Sequence, residues 1–119
     1  MARLDLPTLR AAIWTARSLR RAKRDLARFG LEGTCVPAPP RLPARARRGM
    51  LAVISRKPNP CLERALVLQR WEAAHGAPSD VVIGVTAPGD FTAHAWLESM
   101  PDGLAAGYHE LLRIPAPVD

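Results

Sequence analysis

The spacing of apolar residues changes once along the chain, and this change constrains the fold more than any other feature. Residues 8–29, 44–57 and 60–75 carry apolar side chains at the period of amphipathic helices. From Val81 onward, short runs rich in β-branched residues are typical of strands. Helices followed by an antiparallel meander indicate an α+β domain, in which N-terminal helices and a central helix pack on a small antiparallel sheet.

The first predicted helix, residues 8–29, has an apolar side and a basic side and should end at Gly30. The side predicted to face the core consists of Leu9, Ala12, Ala16, Leu19, Ala22 and Leu26. The opposite side carries what we call the arginine stripe: Arg10, Arg17, Arg21, Arg24 and Arg28. Such a stripe is either an ordinary solvated face or a docking surface for an acidic partner, an anionic membrane or nucleic acid.

Residues 31–43, which we call the connector, are rich in proline and are predicted to be irregular. Cys35 lies within the connector, and we interpret it as a small packing residue or an incidental thiol. The next segment, residues 44–57, is predicted to be helical until Pro58 stops it. We expect this helix to cover the one that follows.

Three strands are predicted in the last third of the chain, at residues 81–86, at 91–98 and from about residue 104. The sequence Pro-Gly-Asp at 88–90 supplies the turn between the first two strands. Pro-Asp-Gly at 101–103 supplies the next turn, so the third strand is predicted to lie beside the second.

The 119 residues are enough for one core, so we expect a single domain over residues 1–119. Its net charge of +6 is concentrated in a basic helical region at 1–57, ahead of a core at 58–119. The two cysteines, Cys35 and Cys61, are not spaced for a metal site or a redox pair, so no metal, cofactor or disulfide framework is expected. The sequence has no apolar run of about 18 residues and no secretory segment, and we expect a cytoplasmic protein.

Cys61 stands where the third predicted helix begins. Asn59 is predicted to cap this helix, and Pro60 suits its first position. Cys61 then lies in the first turn, where the helix dipole and unpaired N–H groups favour a thiolate over a thiol. His94, on the second predicted strand, is the histidine that we expect to act as base toward this thiol. Each residue alone also fits a structural role, as a small buried thiol or a core histidine.

A catalytic histidine needs a third group to orient its ring. If the turn at 102–103 closes a hairpin, Glu110 falls opposite Ala95 and next to His94. On that geometry, Glu110 is the residue that we expect to orient the His94 ring. The alternatives are Asp102 if the turn is displaced, Asp90, His109, or no acidic member at all.

Three segments together resemble a known family: residues 61–71 (CLERALVLQRW), 82–85 (VIGV) and 93–98 (AHAWLE). Their order and spacing are similar to those of the transglutaminase-like leader peptidase of lasso peptide biosynthesis, in particular the peptidase half of the split B protein, over about residues 50–115. The resemblance implies a papain-like cysteine protease core with Cys61 as nucleophile and His94 as general base. The aspartate that the family usually offers after the hairpin has no counterpart in residues 104–110. Glu110 would take this role, or the dyad would work without a carboxylate.

The resemblance also implies a function in the maturation of ribosomally made peptides. The enzyme would be a cysteine peptidase that removes the leader from a lasso precursor peptide, acting with a separate leader-recognition protein and an ATP-dependent lasso cyclase. The arginine stripe would contact one of these partners, an acidic leader or a membrane surface. Two other classes are a nucleic-acid-binding module, disfavoured by the few aromatics and the lack of a recognisable motif, and a catalytically idle scaffold of the same fold.

Overall fold

The computed structural model describes residues 5–56, 60–86, 92–100 and 107–117. In this part of the chain, three α-helices precede three β-strands. The helices are α1 (Leu6–Phe29), α2 (Arg47–Ile54) and α3 (Cys61–Ala74), and the strands are β1 (Val81–Val85), β2 (Ala93–Leu97) and β3 (His109–Ile114). The α+β class predicted from the sequence is therefore confirmed.

Helix α1 begins at a side-chain cap. The carboxylate of Asp5 accepts a hydrogen bond from the Thr8 amide at 2.9 Å, which satisfies one of the free N–H groups of the first turn. Gly30 follows the helix with a φ of 73°, a conformation that glycine adopts without strain. The helix predicted over 8–29 is confirmed, and it starts slightly earlier because Asp5 supplies the cap.

The buried side of α1 differs from the predicted one. Leu19 and Ala22 are buried as predicted, but Leu9 is 45% exposed. The residues that pack inward are mostly small: Thr8, Ala11, Trp14, Thr15, Ser18, Leu19, Ala22 and Asp25. The reason is the close approach of α2, because a Cβ added at Gly49 would lie 2.3 Å from the Thr8 carbonyl oxygen. This contact requires a small side chain near Thr8, and the side predicted from apolar spacing was partly wrong.

The second helical segment also packs differently from the prediction. A 3-10 turn at Ala44–Ala46 leads into α2, which confirms a helix in residues 44–57. Residues 57–59, including Pro58, lie outside the described residues. Helix α2 packs chiefly on α1. Its Met50 and Ile54 also share a core with Val67 and Trp71 of α3, so the prediction that it covers the next helix is confirmed in part. Its described polar link to α3 is an ion pair between Arg47 and Glu72 at 2.7 Å.

The three helices share a core around two tryptophans. The rings of Trp14 and Trp71 have centroids 5.7 Å apart. The buried members of this core are Ala11, Trp14, Leu19, Ala46, Met50, Ile54, Val67 and Trp71. The Nε1 of Trp14 donates to the Pro37 carbonyl at 3.2 Å and so ties the connector to α1. Cys35, also in the connector, is exposed, so its interpretation as a packing residue was wrong.

The arginine stripe of α1 lies at the surface. All five side chains are exposed, and Arg21 forms an ion pair with Asp25 at 3.6 Å. A solvated face and a docking surface both require this exposure. Within the described ranges, none of the helices has the length and apolar character needed to cross a membrane.

The described strands form an antiparallel sheet in the order β2-β1-β3. The predicted pairing of the first two strands is confirmed. The prediction that the third strand lies beside the second was wrong, because β3 pairs with β1. The continuous apolar run of β1, VVIGV, suits a central strand with a neighbour on each side. The turns predicted at 88–90 and 101–103 lie outside the described residues.

Helix α3 packs on one face of the sheet, as predicted. The buried residues of this contact are Ala65, Leu66, Val81, Ala95 and Leu97. Gln69, which is 5% exposed, fixes the helix to the far strand. Its Nε2 lies 3.0 Å from the Ile114 carbonyl oxygen and 3.1 Å from those of Ser79 and Pro115. A buried amide with these partners holds α3 at a fixed position over the sheet.

Candidate active site

Cys61 is the first residue of α3. Pro60 has an extended conformation, with φ −64° and ψ 151°, and so occupies the cap position rather than the predicted first helical position. The predicted cap, Asn59, lies outside the described residues. The Arg64 amide donates to the Pro60 carbonyl at 3.1 Å and closes the first turn. The amides before Arg64 are those that a helix start leaves without helical partners, and they point toward the region in front of Cys61.

A pocket of about 220 Å³ lies beside Cys61. It is enclosed by the end of α2, the first turns of α3 and the edge of β2. Its lining is mostly apolar: Leu51, Ile54, Ser55, Cys61, Arg64, Ala65, Leu68, Ala95, Trp96, Leu97 and Met100. Arg64 is the cation in this lining, and its Nε is buried without a hydrogen-bond partner among the described residues. The pocket therefore suits an apolar side chain of a bound peptide, placed next to the Cys61 thiol.

His94 lies on β2, as predicted, within a cluster of aromatic rings. Its ring centroid is 5.8 Å from that of Trp96 and 5.4 Å from that of Tyr108. Gly84 pairs with His94 across the sheet and leaves the space that this cluster occupies. A Cβ on Gly84 would lie 2.8 Å from Cη2 of Trp96 and 2.9 Å from Cβ of Tyr108. The apolar spacing did not predict this cluster, although a glycine inside the β1 run was a signal for a close approach.

The structure brings the strand of His94 next to Cys61 but directs the His94 ring to the other sheet face. Cys61 shares its pocket with Ala95 and Trp96 of β2. Ala95 is buried toward α3, and side chains alternate along a strand, so His94 points away from α3. The pairing of the Cys61 thiol with the His94 imidazole stays a prediction.

Glu110 does not lie at the position predicted for it. It is opposite Gly84 on β3, not opposite Ala95, because β3 is bonded to the far side of β1. Two strand spacings, about 10 Å, therefore separate the backbone of Glu110 from that of β2. The Glu110 carboxylate accepts hydrogen bonds from Arg113 at 2.7 Å and 3.1 Å.

The other residues considered for the site have different surroundings. Asp90 and Asp102 lie outside the described residues. His109 is exposed on β3, opposite Val85. Arg113 also pairs with Asp80 and with Glu98, so the carboxylates of this region are held around one guanidinium. Within the described ranges, no group of three or more His, Cys, Asp or Glu side chains could hold a metal ion.

A sequence profile of the transglutaminase-like superfamily matches residues 5–112, which include every element from α1 to most of β3. The chain belongs to the transglutaminase-like superfamily. This superfamily includes cysteine peptidases and acyltransferases, and its α+β class agrees with the helices and the antiparallel sheet seen here. Comparisons with curated proteins and with solved structures gave no match. The match includes α1 and the connector as well as α2, α3 and the strands up to residue 112.

Proposed function

We propose that this transglutaminase-like protein is a cysteine peptidase that removes the leader from a ribosomally made lasso precursor peptide. The observation that carries the proposal is the position of Cys61, the first residue of α3, at a mostly apolar pocket. A thiol at a helix start lies next to free backbone amides, which are the donors that the oxyanion of an attacked carbonyl requires. The resemblance of residues 61–71 and 93–98 to leader peptidases supplies the substrate class.

The reaction would run through a thioester on Cys61. The sulfur attacks the scissile carbonyl, and the amides of the first turn of α3 stabilise the oxyanion. His94 accepts the thiol proton, donates it to the leaving amine, and then activates water to release the leader. The freed amine of the core peptide is the group that an ATP-dependent cyclase would use to close the ring.

For this reaction, the His94 imidazole must come within hydrogen-bonding distance of the Cys61 thiol. Its ring now contacts Trp96 and Tyr108 on the sheet face away from α3. β2 is the outer strand of the described sheet, and its Ala95 and Trp96 line the pocket beside Cys61. We propose that binding of the precursor, or of the separate leader-recognition protein, favours a His94 position within hydrogen-bonding distance of Cys61.

Cleavage of the precursor tests the proposal directly. The protein is mixed with its precursor peptide and leader-recognition protein, and release of the leader is followed by mass spectrometry. Cys61→Ala should abolish cleavage because it removes the nucleophile, whereas Cys35→Ala should leave the rate unchanged because Cys35 is an exposed residue of the connector. Equal rates for the Cys61→Ala variant and the unmodified protein would rule the proposal out.

A catalytically idle scaffold is the second candidate, and two observations favour it. The contacts of Glu110 are with Arg113, and the His94 ring lies in an aromatic cluster. A scaffold would keep the fold and bind the precursor without cutting it. Binding of the precursor with no leader released, under conditions where the recognition protein is bound, would support this candidate.

A further inference from the structure

A groove between α1 and the connector carries part of the arginine stripe. Its volume is about 430 Å³, and Arg10, Arg17 and Arg21 line it from the helix side. Pro37 and Pro40 form the wall on the connector side. The stripe is therefore not a flat solvated face over this part of α1, because a second segment of the chain encloses one side of it.

Ser18 lies in the groove with an unused hydroxyl. The residue is 1% exposed, and its Oγ has no hydrogen-bond partner in the described part of the protein. Thr15, three residues earlier on α1, shows the usual arrangement, since its hydroxyl donates to the Ala11 carbonyl at 2.7 Å. A buried hydroxyl without a partner is unfavourable, so a ligand that hydrogen-bonds Ser18 gains free energy that the free protein lacks.

The charges in the groove are available to a ligand. Neither Arg10 nor Arg17 forms an ion pair with any described residue, and both are exposed. Arg21 has one carboxylate neighbour, Asp25, at 3.6 Å. Guanidinium groups bind carboxylates through paired hydrogen bonds, so the groove favours acidic side chains.

The apolar part of the groove favours a polypeptide over nucleic acid or membrane. Ile13 is 45% exposed and lines the groove, so it can contact an apolar side chain. Trp14 is only 9% exposed and its Nε1 is bonded to Pro37, so its ring face is not open for stacking on a base. A concave site with a hydrophobic floor and cationic rim also differs from the exposed apolar face that inserts into a bilayer.

We propose that this groove binds an extended acidic segment of a partner polypeptide. Carboxylates of the segment pair with Arg10, Arg17 and Arg21, an apolar side chain contacts Ile13, and a main-chain group of the segment bonds the Ser18 hydroxyl. Arg10 and Arg21 are separated by a rise of about 16 Å along the helix, the length of about five residues of extended chain. The inference goes beyond the peptidase proposal and does not depend on the chemistry of Cys61.

Fluorescence anisotropy with a labelled peptide of alternating Glu and Leu tests this inference on the full chain. Arg17→Glu should weaken binding about tenfold or more, since it replaces a charge-assisted contact by a repulsion. The matched control is Lys23→Glu. Lys23 is an exposed cation of α1 that lies outside the groove, about 120° around the helix axis from Arg17. The same peptide with Gln in place of Glu should bind much more weakly.

Ser18→Ala gives a second test, because it should raise the thermal stability of the free protein and lower its affinity for the peptide. The free protein should become more resistant to thermal unfolding, because the substitution removes a buried hydroxyl that has no partner. Binding of the Glu-Leu peptide should weaken about two- to tenfold, because the bond to the peptide is lost.

Three results would overturn the inference. They are equal weakening by Arg17→Glu and Lys23→Glu, equal affinity for the Glu and Gln peptides, and tighter binding of single-stranded DNA or anionic vesicles than of the acidic peptide. Circular dichroism of each variant checks that the helices are intact, so that a loss of binding reports on the groove.

Discussion

Gly84 is the residue on which the surroundings of His94 depend. Trp96 and Tyr108 occupy the space where its side chain would be, and His94 contacts both rings. A glycine in a strand weakens the strand by itself, so replacing it would normally stabilise the sheet. At this position the steric conflict dominates, because two of the nearest contacts would be under 3.0 Å.

Gly84→Ala should therefore lower the free energy of unfolding by about 1–3 kcal/mol, the usual range for overpacking. Urea denaturation followed by tryptophan fluorescence measures the change. Gly107→Ala is the control, because no atom lies within 4 Å of a Cβ at that position. Equal stability of the two variants would show that the rings are not packed over Gly84.

The cap of α1 predicts a pH dependence of stability. Hydrogen bonds from Thr8, with a further contribution from Arg45, lower the pKa of Asp5 from about 3.8 to about 2. A carboxylate whose pKa is lower in the folded state contributes stability above pH 3.8 and loses it as the pH falls through about 2. The melting temperature of the protein should exceed that of Asp5→Ala at neutral pH, and this difference should shrink toward pH 2. A difference that is constant from neutral pH to pH 2 would contradict the assignment.

At the scale of elements, the packing of α1 on α2 rests on Gly49. Glycine within a helix is unfavourable by about 0.5–1 kcal/mol relative to alanine, so propensity alone predicts that Gly49→Ala stabilises the protein. The contact distance predicts the opposite, since the new Cβ would lie 2.3 Å from the Thr8 carbonyl oxygen, a main-chain atom.

We expect the steric conflict to outweigh the gain in helix propensity. Gly49→Ala should therefore lower the free energy of unfolding by about 1–3 kcal/mol. Chemical denaturation with far-UV circular dichroism measures both the helix content and the stability. A stabilised variant would mean that α1 and α2 are farther apart than described here.

The helices and strands were predictable from the sequence where the spacing of nearby residues determines them. Packing and strand order were not predictable where contacts between distant residues determine them. Helices α1 and α3 follow from apolar periodicity, and the pairing of β1 with β2 follows from the turn sequence Pro-Gly-Asp between them. The buried side of α1 depends on Gly49, a residue of another helix, and the position of β3 depends on pairing with β1 rather than with its neighbour in sequence. Local periodicity contains no information on either contact.

At the scale of the whole molecule, the site was predictable only in part for the same reason. The placement of Cys61 at a helix start follows from the residues around it. The setting of His94 depends on Gly84 and Tyr108, which come from two other parts of the chain. The position of Glu110 depends on strand order. It was predicted to lie beside β2, but β3 pairs with the edge of β1 that is opposite to β2.

The architecture separates two surfaces with different chemistry. The mostly apolar pocket at Cys61 lies between α2, α3 and β2, and the basic groove lies between α1 and the connector. A peptide with an acidic segment and an apolar residue near the scissile bond would match both surfaces. Loss of groove binding should therefore affect the affinity for a precursor more than the reactivity of the thiol, which depends on the start of α3.

The most direct test of the central claim is the rate at which iodoacetamide alkylates each thiol near pH 7, followed by peptide mass spectrometry. Cys35 is an internal control, because it is exposed whereas Cys61 is half-buried. Access alone predicts that Cys35 reacts faster. If Cys61 is an activated nucleophile, it should react about tenfold faster than Cys35 despite being less exposed. Alkylation of Cys61 at the rate of Cys35 or more slowly would contradict its role as the nucleophile.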